Sequence, residues 1–209
     1  MTLRLERQKQ AVALTLPSNV SLAKGLAWAK TKASWIAEQL DQRPPGRAIV
    51  PGMTISVGGE DLVLDWSQSH RRSVQKVGNR LCVGGPIDLL DGRVMRWLRS
   101  EAKTILTLET QEFAARAGVT VAQVGVGDPV SRWGSCATNG TIRYSWRLIL
   151  APYDVMVATV AHEVAHRVHM NHGREFHALV ATMLGKDPSP ARRWLRQNGA
   201  MLHGFGAAS

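Results

Sequence analysis

The sequence predicts an α+β protein, in which strands and helices occupy separate stretches of the chain. Four short β-prone runs follow one another between residues 53 and 83, and helical apolar spacing marks longer segments on both sides of them. With 209 residues, of which 44% are apolar, the chain can bury one ordinary core. Gly and Pro are scattered rather than periodic, which excludes collagen-like and low-complexity classes.

The first elements are predicted to be a strand and a helix. Residues 11–16 alternate apolar and polar side chains, as a strand does. Residues 21–40 repeat apolar side chains at three- and four-residue steps, which predicts one helix with Ser18 or Asn19 as its N-cap. The DQRPPGR segment at 41–47 ends that helix.

The β-prone runs come next and predict an antiparallel meander. They cover residues 53–57, 62–66, 74–77 and 80–83. We therefore expect an N-terminal subdomain over 1–86 and a second domain over 87–209, packed together as one compact unit.

The second half is predicted to hold helices on both sides of two strands. A long helical pattern runs from about residue 87 to Ala117, and Gly118 ends it. The strands are expected at 119–126 and 141–148, and further helices at 153–170, 174–184 and 191–198.

The HEVAH sequence at residues 162–166 matches the HExxH pattern of metal-dependent hydrolases. Two histidines four residues apart project from one face of a helix, so His162 and His166 can bind one ion. Glu163 stands beside them, where it can reach a water on that ion. Three ionisable groups on an otherwise apolar helix are costly to bury without a partner, which favours a metal site.

Catalytic zinc usually takes three protein ligands, and the sequence offers two candidates for the third. His172 can turn back to the metal if the helix ends near Met170 or Asn171, which gives HExxHx5H. His169 shares the helical face of the first two histidines but lies a turn beyond them. We favour His172 and assign His169 to the rim of the site.

Three segments resemble one known family. HEVAHRVHMNHGREF, the upstream SRWGSC and the SWRLILAP segment at 145–152 are similar to the YgjP-like zincin metallopeptidases, relatives of the WLM and SprT-like groups. The resemblance implies a zincin-like α+β fold with a metal-binding active-site helix, a Zn²⁺ cofactor held by His162, His166 and His172, and Glu163 as catalytic acid and base.

The expected chemistry is hydrolysis of a peptide or another amide. Zinc acidifies water and polarises a carbonyl, while Glu163 accepts and returns the proton. Arg132 and Tyr144 are candidate contacts to the transition state or the substrate. A peptide or protein substrate is the leading expectation.

The net charge of +10 leaves two alternatives open. The excess is larger in residues 1–104, with 16 basic and 9 acidic groups, than in residues 105–209, with 10 and 7. A basic surface attracts anions, so the zinc site could act on nucleotide phosphoanhydrides, or the protein could be a DNA-associated, SprT-like protease or binding factor.

Two cysteines, Cys82 and Cys136, are too few for a disulfide framework and fit a reducing compartment. The N-terminus lacks the apolar core of a secretion signal, and no stretch approaches a membrane span. We expect a cytoplasmic protein that does not enter the membrane.

Overall fold

A computed structural model describes residues 1–6, 11–41 and 46–206 of the chain. The chain divides into two compact units, Met1–Pro44 and Pro45–Ser209. The domain boundary expected after residue 86 stays a prediction. None of the described helices combines the length and the hydropathy that are needed to cross a lipid bilayer.

The first unit is a hairpin followed by two helices. Strand β1 (Thr2–Glu6), which the sequence analysis did not predict, pairs antiparallel with β2 (Ala11–Thr15). The single helix expected over 21–40 is wrong, because α1 (Leu22–Lys30) and α2 (Ala33–Asp41) are separate. The hydroxyl of Thr31 donates to the carbonyl of Trp28 at 2.7 Å and closes the first helix.

The N-cap of α1 is Ser21, not Ser18 or Asn19. Its hydroxyl accepts a hydrogen bond from the amide of Lys24 at 3.4 Å, which satisfies one of the amides exposed at the start of the helix.

The second unit begins with a four-stranded sheet in the order β3-β4-β6-β5. Its strands are β3 (Thr54–Val57), β4 (Glu60–Trp66), β5 (Gln75–Val77) and β6 (Arg80–Val83).

The antiparallel meander expected for these strands is wrong, since β4 and β6 pair in parallel. All three residues of β5 are exposed, whereas β6 carries the fully buried Leu81 and Val83. Placing β6 inside the sheet and β5 at its edge therefore buries more apolar surface than a meander would.

The rest of the second unit surrounds a three-stranded sheet in the order β7-β9-β8, with β7 parallel and β8 antiparallel to β9. Its elements are a short 3-10 helix (Ile87–Leu89), α3 (Leu90–Ala117), β7 (Gln123–Gly127), β8 (Gly134–Cys136), β9 (Thr141–Ser145), a 3-10 helix (Trp146–Leu150), α4 (Tyr153–Ala165), α5 (Arg174–Leu184) and α6 (Ser189–Gly204).

Two strand predictions in this region were too long. The segment 119–122 leads into β7 without joining it, and residues 146–148 belong to a 3-10 helix rather than to β9. Residues 144–149 are all buried, which a strand with one solvated face cannot provide.

The core of the second unit lies between the sheets and helices α3 and α4. Fully buried apolar side chains from each element meet there, including Leu64, Leu81, Leu98, Trp146 and Val160. Helix α4 is apolar along nearly its whole length, so its position is fixed by packing on α3 and α5. The HEVAH sequence lies at the end of this rigidly held helix, and the chain as a whole has the expected mixed α+β architecture.

Candidate metal centre and active site

The HEVAH histidines lie where α4 ends. His162 is in the last turn and His166 is the C-cap residue, so the helix ends at Ala165, five residues earlier than the 170 expected. Hydrogen bonds from the amides of Arg167 and His169 back to the end of α4 hold the following turn. The chain thereby reverses early enough for His172 to return toward the helix.

Three imidazoles converge at this point. The Nε2 atoms of His172 and His162 are 3.1 Å apart, and candidate ligand nitrogens of His162, His166 and His172 all lie within 4.8 Å of one another. Two nitrogens that each lie about 2.0–2.1 Å from one tetrahedral zinc are about 3.3 Å apart. The spacing of this histidine cluster therefore suits a single zinc-sized ion.

His169 contacts the histidine cluster through its backbone carbonyl rather than through its ring. The carbonyl oxygen of His169 accepts a hydrogen bond from Nδ1 of His166 at 3.1 Å. A proton fixed on Nδ1 leaves the Nε2 lone pair of His166 free for a metal. The His169 ring lies outside the cluster, with its Nδ1 3.9 Å from the Glu175 carboxylate.

Phe176 forms an apolar base for the cluster. Its ring is fully buried, and its centroid lies 4.8, 4.6 and 4.7 Å from those of His162, His166 and His172. The residue stands in the first turn of α5, directly after the reversal that carries His172. Packing on one aromatic ring fixes the orientation of three imidazoles that the backbone alone would leave free.

Two histidines of the cluster, His162 and His166, are held in the neutral form that binds metal. Burial, with the neighbouring His166 and His172, lowers the pKa of His162 from 6.5 to about 4. Burial also lowers the pKa of His166. Both rings are therefore neutral at pH 7, as imidazole ligands must be.

Glu163 is buried beside the cluster and only 6% exposed. Burial raises its pKa from 4.5 to about 7, and the charge of Arg132 opposes that rise. A carboxyl group with a pKa near neutrality is suited to accept and return a proton at physiological pH.

The SRWGSC segment packs against the Glu163 carboxyl. Gly134 opens β8, and a Cβ built on it would lie 2.5 Å from Oε1 of Glu163. Trp133 stacks on His203 of α6 with ring centroids 4.9 Å apart, and it covers Gly199 of the same helix. The segment therefore connects the C-terminal helix to the acid beside the histidine cluster.

Arg132 and Tyr144 line one cleft of ≈ 340 Å³, together with Ser135 and Arg143. Arg132 is exposed and close enough to lower the pKa of Glu163. Tyr144 is 1% exposed, and its hydroxyl lies 3.0 Å from the hydroxyl of Thr110. Burial raises the pKa of Tyr144 far above its usual value, so this phenol stays protonated.

Sequence reasoning missed two residues that shape the site. Phe176 was assigned no role of its own, although its place four residues after His172, in the first turn of a helix with an apolar face, is a usable signal. Gly134 lies in the SRWGSC segment of the family resemblance, but its contact with Glu163, 29 positions away, could not be predicted from the local sequence.

A histidine cluster beside a buried carboxyl, on an α+β scaffold, is the arrangement expected of a metal-dependent hydrolase. The sequence profile of the YgjP-like family, metallopeptidase domain, matches residues 1–198. The chain therefore belongs to the YgjP-like family of metallopeptidase domains. No curated protein and no solved structure matches it significantly.

Proposed function

We propose that this protein is a zinc-dependent metallopeptidase with a HExxHx5H site. His162, His166 and His172 would hold the zinc, and the observation that carries the proposal is the convergence of their nitrogens at the end of α4. Neutral imidazoles are ligands that suit zinc, and family membership independently implies a metal ion.

Glu163 is proposed as the acid and base. When bound, zinc would acidify water and polarise the scissile carbonyl. The carboxylate of Glu163 would take a proton from the attacking water and later deliver it to the leaving amine nitrogen. Burial under Gly134 keeps the carboxyl out of bulk solvent and holds it near one position.

A peptide would bind along the free edge of β8. The amide of Ser145 donates to the carbonyl of Trp133, and the amide of Ala137 donates to the carbonyl of Thr141. Hydrogen-bonded and non-bonded residues alternate along an antiparallel strand, so the backbone N–H and C=O groups of Gly134 and Cys136 point away from β9. An extended substrate can pair with these groups as an added strand, beside Glu163.

Arg132 is proposed to contact the substrate or the transition state from the rim of the site. It is exposed, and it is the charged residue whose field acts on Glu163. Tyr144 is proposed for the same role, and its hydroxyl would have to exchange its hydrogen bond with Thr110 to reach a substrate.

One observation favours the alternative of nucleotide phosphoanhydride hydrolysis. Arg132 and Arg143 both line the cleft at the three-stranded sheet, and paired guanidinium groups bind phosphates well. No contact among the described residues favours association with DNA.

The test compares casein and nucleoside triphosphates as substrates, each with and without a chelator. We expect chelator-sensitive cleavage of casein that Glu163→Gln lowers by roughly 10²-fold or more while zinc stays bound. Glu175→Gln, which alters an exposed carboxylate next to the site, is the matched control and should keep activity. Turnover of nucleotides alone would reject the peptidase proposal, and casein cleavage by Glu163→Gln at the wild-type rate would reject the role of Glu163.

A further inference from the structure

A second group of metal-binding side chains lies on the four-stranded sheet, on elements that do not carry the histidine cluster. Asp65 of β4 and Cys82 of β6 are direct partners in the parallel ladder. Their neighbours Leu64, Leu81 and Val83 are buried in the core. Because side chains alternate along a strand, Asp65 and Cys82 project together from the opposite face of the sheet.

His70 joins them from the loop between β4 and β5. Its Nδ1 lies 3.3 Å from the backbone carbonyl oxygen of Asp65, and its amide donates to the carbonyl of Ser67 at 3.1 Å. All three side chains are half-buried, so their donor atoms are sheltered but remain accessible to an ion.

The loop that carries His70 is held firmly against the sheet. The amide of Gly84 donates to the carbonyl of Arg71 at 2.7 Å, and a Cβ on Gly84 would lie 2.0 Å from the carbonyl oxygen of His70. The indole of Trp66 donates to the carbonyl of Gly85 at 3.0 Å. This close backbone packing fixes His70 before any ligand binds, which lowers the entropy cost of binding.

The donor atoms have the separation that one zinc ion requires. Sγ of Cys82 lies 3.7 Å from Oδ2 of Asp65, and the sulfur, a carboxylate oxygen and a ring nitrogen all lie within 4.8 Å of one another. For a tetrahedral zinc with Zn–S of about 2.3 Å and Zn–O of about 2.1 Å, the sulfur and oxygen are about 3.6 Å apart.

We propose that Asp65, His70 and Cys82 form a second site for a thiophilic divalent cation, best suited to Zn²⁺. Sulfur, imidazole and carboxylate are the ligand types that zinc takes from proteins. In the structure the Cys82 thiol points at Oδ2 of Asp65, and on binding its proton leaves to solvent while the thiolate binds the cation.

One ion pair competes with the cation for the carboxylate. Nε of Arg80 lies 3.4 Å from Oδ2 of Asp65, but the Arg80 side chain is 61% exposed. Exposed pairs of this kind contribute little, so the guanidinium can turn into solvent when a divalent ion binds. Bound metal would tie β4, β6 and the His70 loop together.

Cobalt distinguishes this site from the histidine cluster, because Cys82 would be a thiolate ligand and the cluster has none. Full-length protein, stripped of metal and kept under a non-thiol reductant, is titrated with Co²⁺. We expect a thiolate-to-cobalt absorption band in the near ultraviolet for the wild type and for His172→Ala. Cys82→Ser should lose the band, and Cys136→Ser, which changes the other free cysteine, should keep it.

Zinc content gives a second readout. The wild type should hold about two ions per chain after dialysis, and Cys82→Ser and His172→Ala about one each. Asp65→Asn, a nearly isosteric change, should weaken binding at the second site by roughly tenfold or more. A wild type without the cobalt band, or Cys82→Ser with wild-type zinc content and an unchanged band, would overturn the proposal. If His172→Ala lost zinc but Cys82→Ser did not, only the histidine cluster would bind metal and the second site would be rejected.

Discussion

Gly134 of β8 and Glu163 of α4 are in direct contact, and the strand leaves no room for a side chain between them. The nearest atoms to a Cβ built on Gly134 are Oε1, Cγ and Cδ of Glu163, at 2.5, 2.6 and 2.7 Å. The backbone of the SRWGSC segment thus covers the carboxyl that we propose as the base. Activity should therefore depend on a glycine that carries no reactive group.

Gly134→Ala is expected to displace the Glu163 carboxyl and lower peptidase activity by roughly 10²-fold, because misplacing a reacting group by about 1 Å has an effect of that size. Zinc content should stay at the wild-type level, since the three atoms nearest to the added methyl group all belong to Glu163. The assay is casein cleavage beside metal analysis.

The matched control is Gly92→Ala. Gly92 lies in α3, and a Cβ there meets nothing within 4 Å. This variant should keep full activity and gain about 0.5–1 kcal/mol of stability from the better helix former. If Gly134→Ala were as active as this control, the contact would not position the base.

His172→Ala and His169→Ala are expected to differ in metal content. The first removes a ring nitrogen of the cluster, so dialysed protein should lose most of the zinc bound there. The second should retain it, because His169 supports the cluster through its backbone carbonyl, which the substitution preserves. Zinc loss from His169→Ala instead would mean that the third ligand is assigned wrongly.

Phe176→Leu is expected to weaken zinc binding at the histidine cluster by roughly tenfold, in the range seen for residues that orient metal ligands. Phe113→Leu alters another buried phenylalanine, on α3, for which the described residues show no ring contact to a histidine. Both variants should lose about 1–3 kcal/mol of stability in urea unfolding. Equal zinc affinities in the two variants would contradict the proposed role of Phe176.

Glu163→Gln is expected to stabilise the metal-free protein above neutral pH. The folded-state pKa is raised from 4.5 to about 7, so the stabilisation from the bound proton is complete below pH 4.5 and is lost as the pH rises through 7. Relative to the variant, wild-type protein should therefore lose about 3 kcal/mol of unfolding free energy between pH 4.5 and pH 8.

This comparison uses urea unfolding of chelator-treated wild type and Glu163→Gln at both pH values. The lowered pKa of His162 makes the folded state more stable as the pH rises, which is the opposite effect. Because both proteins contain His162, this effect cancels when their unfolding free energies are compared. A stability difference that does not change between pH 4.5 and pH 8 would show that Glu163 is not protonated in the folded metal-free state.

The sequence predicted the elements whose determinants are local. The helices of the second unit and the strand at residues 11–16 follow from apolar periodicity. The HEVAH spacing placed His162 and Glu163 on one helix, with His166 as its C-cap residue in the structure. Family membership is confirmed over residues 1–198.

Other features of the fold depend on contacts between residues that the apolar periodicity of a single segment cannot predict. The parallel pairing of β4 with β6 reflects how much apolar surface each strand can bury in the assembled sheet. The early end of α4 is accompanied by the hydrogen bond from the His166 ring to the His169 carbonyl, a side-chain effect outside helix propensity.

The last helix, α6, is linked to Glu163 through a short series of contacts. Trp133 packs on Gly199 and His203 of α6, and the next residue, Gly134, covers Glu163. Arg147 binds the carbonyls of Leu202 and Phe205, both at 2.8 Å, and so anchors the end of that helix. The C-terminal helix thus supports the position of the carboxyl that we propose as the base, and part of this helix lies beyond residue 198, where the family match stops. Shortening the chain there should impair catalysis before it affects metal retention.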